Sequence, residues 1–285
     1  MPRPPSLASV RPLLIRALAE DLGHGDLTTR ALDLTGKAEA RLIAQAPGVA
    51  CGLPLLAPLF RLLDPRARVT LVSRDGRSVK PGQVLARVSA SASALLAGER
   101  TALNLLMHLS GIATLSGRFV RAVRDTRAVV LDTRKTLPGL RHLGKYAVAC
   151  GGASNHRMGL HDGILIKNNH LALLGGDAAG AVRKARGHGV RAEVEVEART
   201  LTEALEAAGA GADIVLLDNF PPPALARAVR EIRRRHPKRP LLEASGGITL
   251  ATVRAYAKTG VDRISVGALT HSAPALPLAL RLEAR

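Results

Sequence analysis

Tryptophan is absent from these 285 residues, and three Phe and two Tyr are the whole aromatic complement. Modules that stack nucleic-acid bases on aromatic platforms are therefore disfavoured, and the core has to be built from Leu, Val, Ile and Ala. Cysteine is scarcer still. Cys51 and Cys150 form no C-x-x-C and no metal-ligand spacing, so a reduced cytoplasmic compartment is the default, and Cys150 is expected to be a helix packing residue. No apolar run approaches the ~20 residues needed to span a bilayer. The opening MPRPPSLASV has no signal-peptide hydrophobic region, which leads us to expect a soluble cytoplasmic protein. No Walker sequence and no dinucleotide fingerprint occurs.

What is present is ample apolar material: 47% hydrophobic against 22% charged residues, too rich for a disordered chain. The length suits one large domain or two modest ones. The net charge of +18 invites a nucleic-acid reading. The excess is mostly Arg, however, and it is spread along the whole chain. Arg233, Arg234 and Arg235 with His236, Lys238 and Arg239 make the dense cluster, and they close a predicted helix, where basic residues suit the dipole. A solvated helix end is the expectation there. A nucleic-acid-binding module remains the rival of another class, and a salt-dependent DNA shift separates the two.

The second half has a rhythm. Short β-branched runs recur at 128–133, 163–167, 193–198, 213–218, 240–244 and 262–267, with helical stretches at 139–150, 177–188, 200–210, 222–235 and 250–259. Thr200 and Glu203 make a capping box. Thr249 is expected to open its helix in the same way and Gly260 to end it. Pro221 to Pro223 sit at a helix start, where missing N–H groups are harmless. Strand–helix alternation at this spacing means βα units and a parallel sheet, and six repeats predict a closed or nearly closed barrel. The first part differs: a helical start, short β-like runs at 38–45 and 68–73, and a helical region over 95–123 broken near Gly111. We expect 1–112 to be a separate α/β domain and 113–285 the barrel, with the C-terminal tail packing back on the N-terminal domain.

In such a barrel, chemistry collects at the C-terminal ends of the strands. Asp132, Arg134 and Lys135 end the first strand. Lys167, Asn168, Asn169 and His170 end the second, with Lys167 expected to be buried and so to need a partner. Glu195 and Glu197 share one face of the third, because side chains alternate. Asp218 and Asn219 end the fourth. Ser245, Gly246 and Gly247 end the fifth, and Val266, Gly267 and Ala268 with Thr270 and His271 follow the sixth. The loop NHRMG adds His156 and Arg157. Cations exceed what the carboxylates need, so the ligand should be strongly anionic, carrying several carboxylates or phosphates. The glycine turns of the last two strands suit a phosphate.

Taken in order, EDLGHGDLTT, GERTALNLLMHLSGIAT, LDTRKTLPGLRHLGKYAV, GGASNHRMGLHDGILIKNNH, VEVE, LLDN, LEASGGI and ISVGALTHS closely resemble the quinolinate phosphoribosyltransferases, the decarboxylating nicotinate-nucleotide pyrophosphorylases of de novo NAD synthesis. The resemblance covers about residues 15–283. Leu137, Gly144 and Ala153-Ser154 depart from the common pattern without touching charged positions.

The resemblance implies an N-terminal α/β sandwich domain plus a C-terminal incomplete α/β barrel, and a homodimer or hexamer with shared sites, in which Arg100 reaches the neighbour's substrate. It implies that Arg100, Arg134, His156, Arg157 and Lys167 hold quinolinate, with Thr133 beside them. Lys135 would serve the pyrophosphate or the substrate's second carboxylate. Glu197 and Asp218 would face the ribose and the Mg2+ that accompanies phosphoribosyl pyrophosphate, with Glu195 the alternative carboxylate. Ser245, Gly246 and Gly247 with Val266, Gly267 and Ala268 would cradle the 5′-phosphate, and Asn169 and His170 would line the mouth. A paralogue associated with molybdate transport is the near alternative, and a non-decarboxylating nicotinate phosphoribosyltransferase, needing fewer cations, the more distant one.

Overall fold

The computed structural model describes every residue except Met1, Val190, Lys238, Arg239, Ala284 and Arg285; the predicted basic cluster at 233–239 thus lies partly outside the described residues. The chain runs α1 (Leu7–Leu22), α2 (Leu27–Ala31), β1 (Lys37–Ala44), β2 (Gly48–Val49), α3 (Leu56–Leu63), β3 (Arg68–Leu71), β4 (Ser78–Val79), β5 (Val84–Ser91) and α4 (Ala92–Val123). It continues through β6 (Val129–Leu131), α5 (Arg141–Cys150), β7 (Ile164–Ile166), α6 (Asn168–Leu173), α7 (Ala178–Gly187), β8 (Val194–Ala198) and α8 (Leu201–Gly209). It closes with β9 (Ile214–Asp218), α9 (Pro222–Arg235), β10 (Leu241–Ser245), α10 (Val253–Ala257), β11 (Arg263–Ser265), α11 (Ala268–His271) and β12 (Leu278–Glu283). Two compact units result: residues 1–117, 137–152 and 272–285, and residues 118–136 and 153–271. The first unit thus takes in the C-terminal tail, and it also includes residues 137–152, beyond the expected boundary at 112/113.

The first unit is built on an antiparallel sheet in the order β12-β1-β5-β3. Alternation along β1 sends Ala40, Leu42 and Ala44 inward. There they meet Val88, Leu280, Leu14 of α1, Phe60 of α3 and Leu95 and Leu106 of α4 in one core. β12 pairs with β1 through Leu42↔Leu280, so the C-terminal end of the chain completes the N-terminal sheet. Helix α4 is continuous and does not break at Gly111. The glycine serves packing instead. A Cβ built there would lie 2.2 Å from the carbonyl oxygen of Pro274, so its absence lets the segment leading to β12 run against the helix.

The second unit carries six parallel strands in the order β6-β11-β10-β9-β8-β7. Together with the antiparallel unit this makes the α/β protein with an incomplete barrel that the sequence leads one to expect. The strands are short and apolar because helices cover them. α8 presents Ala204, Ala207 and Ala208 as its buried face, and α9 presents Leu225, Ala228, Val229 and Ile232. Thr200 Oγ1 accepts from Glu203 N–H at 3.2 Å and Glu203 reaches back to Thr200 N–H, so the capping box forms. Pro221 is the N-cap of α9. The 249–260 segment differs from its expected form. Thr252 Oγ1 accepts from Thr249 N–H at 3.0 Å, and regular helix begins only at Val253. Register brings the strand ends level: Ser245 opposite Asp218, and Ser265 opposite Leu131. Among the described residues no helix is long and apolar enough to cross a membrane.

Candidate active site

The strand ends surround a cavity of about 460 Å³. Of the expected residues, Thr133, Arg134, Lys135, His156, Arg157, Lys167, Glu197, Asp218, Ser245, Gly246 and Gly247 all line it. Arg199, Asn168, Asn219 and Ser265 line it too. Arg199 escaped the sequence reading because it follows the VEVEA run and looks like the first residue of a solvated loop. Arg134, Lys135, Arg157, Lys167 and Arg199 thus face Glu197 and Asp218, and positive charge is in excess.

The first strand end is fixed from below. Asp132 is fully buried, and its carboxylate accepts from Asn155 Nδ2 at 2.7 Å and from His156 N–H at 2.8 Å. This pins the 154–157 loop beside β6, as does the pairing of Leu131 with Ser154. Arg157 N–H donates to His156 Nδ1 at 2.8 Å, so the neutral ring carries its proton on Nε2. That nitrogen is 3.1 Å from Glu195 Oε2 and 3.6 Å from Glu243 Oε1. Burial, chiefly, and the neighbouring Glu195 push the Glu243 carboxyl up to about 7. Arg157 donates to Gly163 O at 2.9 Å. Burial, chiefly, and the nearby Arg134 guanidinium lower its pKa, against the opposing charges of Glu195 and Asp162.

Lys167 is exposed, not buried as its apolar run suggests. Its Nζ lies 3.5 Å from Glu197 Oε2. Lys167 N–H donates to His170 Nδ1 at 2.8 Å, so His170 caps α6. The chain turns into that helix at Asn168, and Asn169 and His170 fall outside the residues lining the cavity, with Asn168 inside. Glu197 faces the mouth cavity, whereas Glu195 lines a second cavity of about 340 Å³ that includes Arg191 and Arg263. Asp218 accepts from Asn219 Nδ2 at 2.7 Å, and Asn219 N–H donates to Ser245 O at 2.9 Å.

Close approach requires a glycine at position 246. Gly246 has φ +100°, and a Cβ there would lie 2.1 Å from Asn219 Oδ1. A Cβ on Gly267 would lie 2.9 Å from Lys135 Cδ. Val266, Gly267 and Ala268 do not line the cavity themselves. Val266 N–H bonds Leu131 O, and Thr270 Oγ1 donates to Lys135 O at 2.8 Å, so this turn supports the Lys135 loop. Arg100 is exposed on α4 in the first unit and is not among the lining residues.

Comparison with known proteins gives a consistent picture. The family description "Quinolinate phosphoribosyl transferase, C-terminal domain" matches residues 112–281, and the corresponding N-terminal domain matches 26–110. The chain is 43% identical over 273 residues to a probable nicotinate-nucleotide pyrophosphorylase (carboxylating) of Bacillus subtilis, covering 95% of this chain and 92% of that one. It is 44% identical over 282 residues to the nicotinate-nucleotide pyrophosphorylase (carboxylating) of Mycobacterium leprae, covering 96% and 97%. Among solved structures, the nicotinate-nucleotide pyrophosphorylase of Francisella tularensis superposes with a TM-score of 0.90 at 37% identity, over 97% of this chain and 96% of that one.

Proposed function

This chain belongs to the quinolinate phosphoribosyltransferase family, and from that premise we propose how its barrel mouth performs the reaction. The activity is that of a nicotinate-nucleotide pyrophosphorylase (carboxylating) in NAD biosynthesis. Run toward the nucleotide, quinolinate and phosphoribosyl pyrophosphate give nicotinate mononucleotide, pyrophosphate and CO2. The observation that carries our assignment of the site is the surplus of cations around a cavity of about 460 Å³ with two carboxylates on one wall.

Arg134, Arg157 and Lys167 hold the dicarboxylate. Bidentate guanidinium contacts fix the pyridine plane as well as its charge. His156 has both ring nitrogens engaged within the protein, so it contributes by holding Arg157 in place and by its ring edge. Lys135, propped by Thr270, faces the pyrophosphate or the second carboxylate. Ser245, Gly246 and Gly247 offer backbone N–H groups to the 5′-phosphate, with Val266, Gly267 and Ala268 behind them. Asn169 and His170 act at the rim, His170 through its cap on α6.

As pyrophosphate leaves C1′, positive charge develops there, and Glu197 and Asp218 face it and order the ribose hydroxyls. The same two carboxylates are hard oxygen donors of the kind Mg2+ takes, so they fit the ion that would accompany phosphoribosyl pyrophosphate. When bound, Mg2+ would supply neutralisation of the leaving group's charge. The pyridine nitrogen bonds to C1′, and the ring becomes cationic. The 2-carboxylate then departs as CO2, its bonding electrons pass into that ring, and a proton takes its place at C2. No covalent enzyme nucleophile enters this scheme. The active unit in this reading is a homodimer, or a hexamer, whose shared site takes Arg100 from the neighbour, and the compartment is the cytoplasm.

Incubating the protein with quinolinate, phosphoribosyl pyrophosphate and Mg2+ tests the reading. Nicotinate mononucleotide and CO2 should appear in equal amounts. Turnover of nicotinate in place of quinolinate, without CO2, would contradict it.

A further inference from the structure

Outside the mouth cavity, the densest group of reactive side chains lies in the first unit. Cys51 directly precedes the Gly52 turn, and Cys150 is the last residue of α5. Both thiols are free and buried. Their sulfurs and one Asp75 carboxylate oxygen lie within 4.8 Å of one another.

Two chemistries suit such a group, a soft metal or a disulfide, and Asp75 decides between them. Its Oδ1 accepts from Leu53 N–H at 3.0 Å. Its Oδ2 accepts from Gly52 N–H at 2.9 Å and from the Tyr146 hydroxyl at 2.8 Å. With three donors on it, the carboxylate is committed to holding the turn. Two thiols remain, half of what a closed zinc site takes. Two neighbouring thiols are instead one bond short of a cystine.

The pair is also asymmetric. Hydrogen bonding to Cys51, with a further bond to Tyr146, draws the Cys150 thiol below its ordinary range. The same bond to Cys150, with burial and the Asp75 charge, pushes the Cys51 thiol well above it. Cys150 is also the more accessible of the two cysteines, 8% exposed against 0% for Cys51. An attacking thiolate beside a resolving thiol has this arrangement. A cavity of about 270 Å³, lined by Val10, Pro54, Leu55 and Leu143, is also lined by Gly52 and Tyr146, the two donors on Asp75 Oδ2.

We propose that Cys51 and Cys150 form a reversible intramolecular disulfide when the protein meets hydrogen peroxide. The Cys150 thiolate attacks one peroxide oxygen. The O–O bond breaks, and the departing hydroxide takes up the proton that the thiol lost, leaving a sulfenic acid and water. The Cys51 sulfur then bonds to the Cys150 sulfur. The S–O bond breaks, and hydroxide leaves with the Cys51 proton as a second water. Two thiols are oxidised by two electrons in total, and one peroxide is reduced to two waters. The bond ties the Gly52 turn to the end of α5 and closes a loop of about 100 residues, a length at which cross-linking constrains the unfolded chain strongly.

The test uses the intact wild-type protein, reduced, desalted and exposed to a few equivalents of hydrogen peroxide. It is then unfolded in alkylating reagent and digested without reduction. The expected product is a linked peptide pair containing Cys51 and Cys150, two hydrogens lighter than the separate peptides, from a chain still monomeric on a non-reducing denaturing gel. Dithiothreitol should restore both alkylatable thiols. Under the same treatment Cys51→Ser should accumulate a dimedone-reactive Cys150, and Cys150→Ser should leave Cys51 reduced. Wild-type protein that keeps both thiols alkylatable, or whose sole disulfide joins two chains, overturns the proposal. So does protein that retains an equivalent of zinc through desalting and thereby resists the peroxide.

Discussion

Lys167 Nζ stands 3.5 Å from Glu197 Oε2, joining the end of β7 to the end of β8 at the cavity wall. In the function proposed above, this carboxylate faces the positive charge that develops on the sugar and the cation beside it binds the dicarboxylate. Glu197→Gln keeps the shape and removes the charge. We expect kcat to fall by about 100-fold, the scale of losing one preorganised electrostatic group, with a smaller change in the KM for quinolinate. Steady-state kinetics with both substrates varied reads the split. A silent Glu197→Gln beside a damaging Glu195→Gln would move the role to Glu195.

Glu243 gives a prediction in pH. Its carboxyl is raised to about 7 by burial and by Glu195, against the opposing charges of His156 and Arg263. A carboxyl raised on folding contributes stability that is fully present below its unfolded pKa, near 4.5, and lost as pH rises through about 7. The full span is worth on the order of 3 kcal/mol. Glu243→Gln should flatten the fall in stability between pH 5 and pH 8 seen in urea unfolding. An unchanged pH slope would show that Glu243 ionises freely in the folded protein.

Arg100 tests the shared site. Arg100→Ala and Arg157→Ala subunits, each nearly inactive, are mixed under conditions of subunit exchange. A mixed dimer holds one site with both lesions and one with neither, so activity should return toward half the wild-type value per mixed dimer. If mass measurement shows exchange and no activity returns, Arg100 does not serve a neighbour.

Much of this site can be read in the sequence because parallel strands are short, β-branched and bounded by helix caps. A polar residue at the end of such a run, as with Asp218 or Ser245, then marks the strand's C-terminal end. Residues whose roles depend on distant partners cannot be read that way. Asp132 resembles any strand-end acid, yet it anchors Asn155 and His156 from a fully buried position. Lys167 follows an apolar run yet is exposed at the cavity mouth, where the strand has ended and α6 begins at the next residue. Strand β5, VLARVSAS, is rich in Ala and Ser, which carry little β signal, and β12 becomes a strand by pairing with β1. Gly111 shows the same limit. Its partner, Pro274, is far along the chain, so a packing glycine looks like a helix break.

The central claim is that the cations at the barrel mouth bind the dicarboxylate, and Arg157→Ala tests it most directly. Arg157 is partly exposed at the mouth and is not part of the apolar core, so its truncation should leave the thermal midpoint and circular dichroism near wild type. Losing a charged hydrogen bond costs about 1.5–3 kcal/mol, so kcat/KM for quinolinate should fall about 10- to 150-fold, and Lys135→Ala should behave similarly. A folded Arg157→Ala enzyme with near-normal kcat/KM for quinolinate would contradict the account.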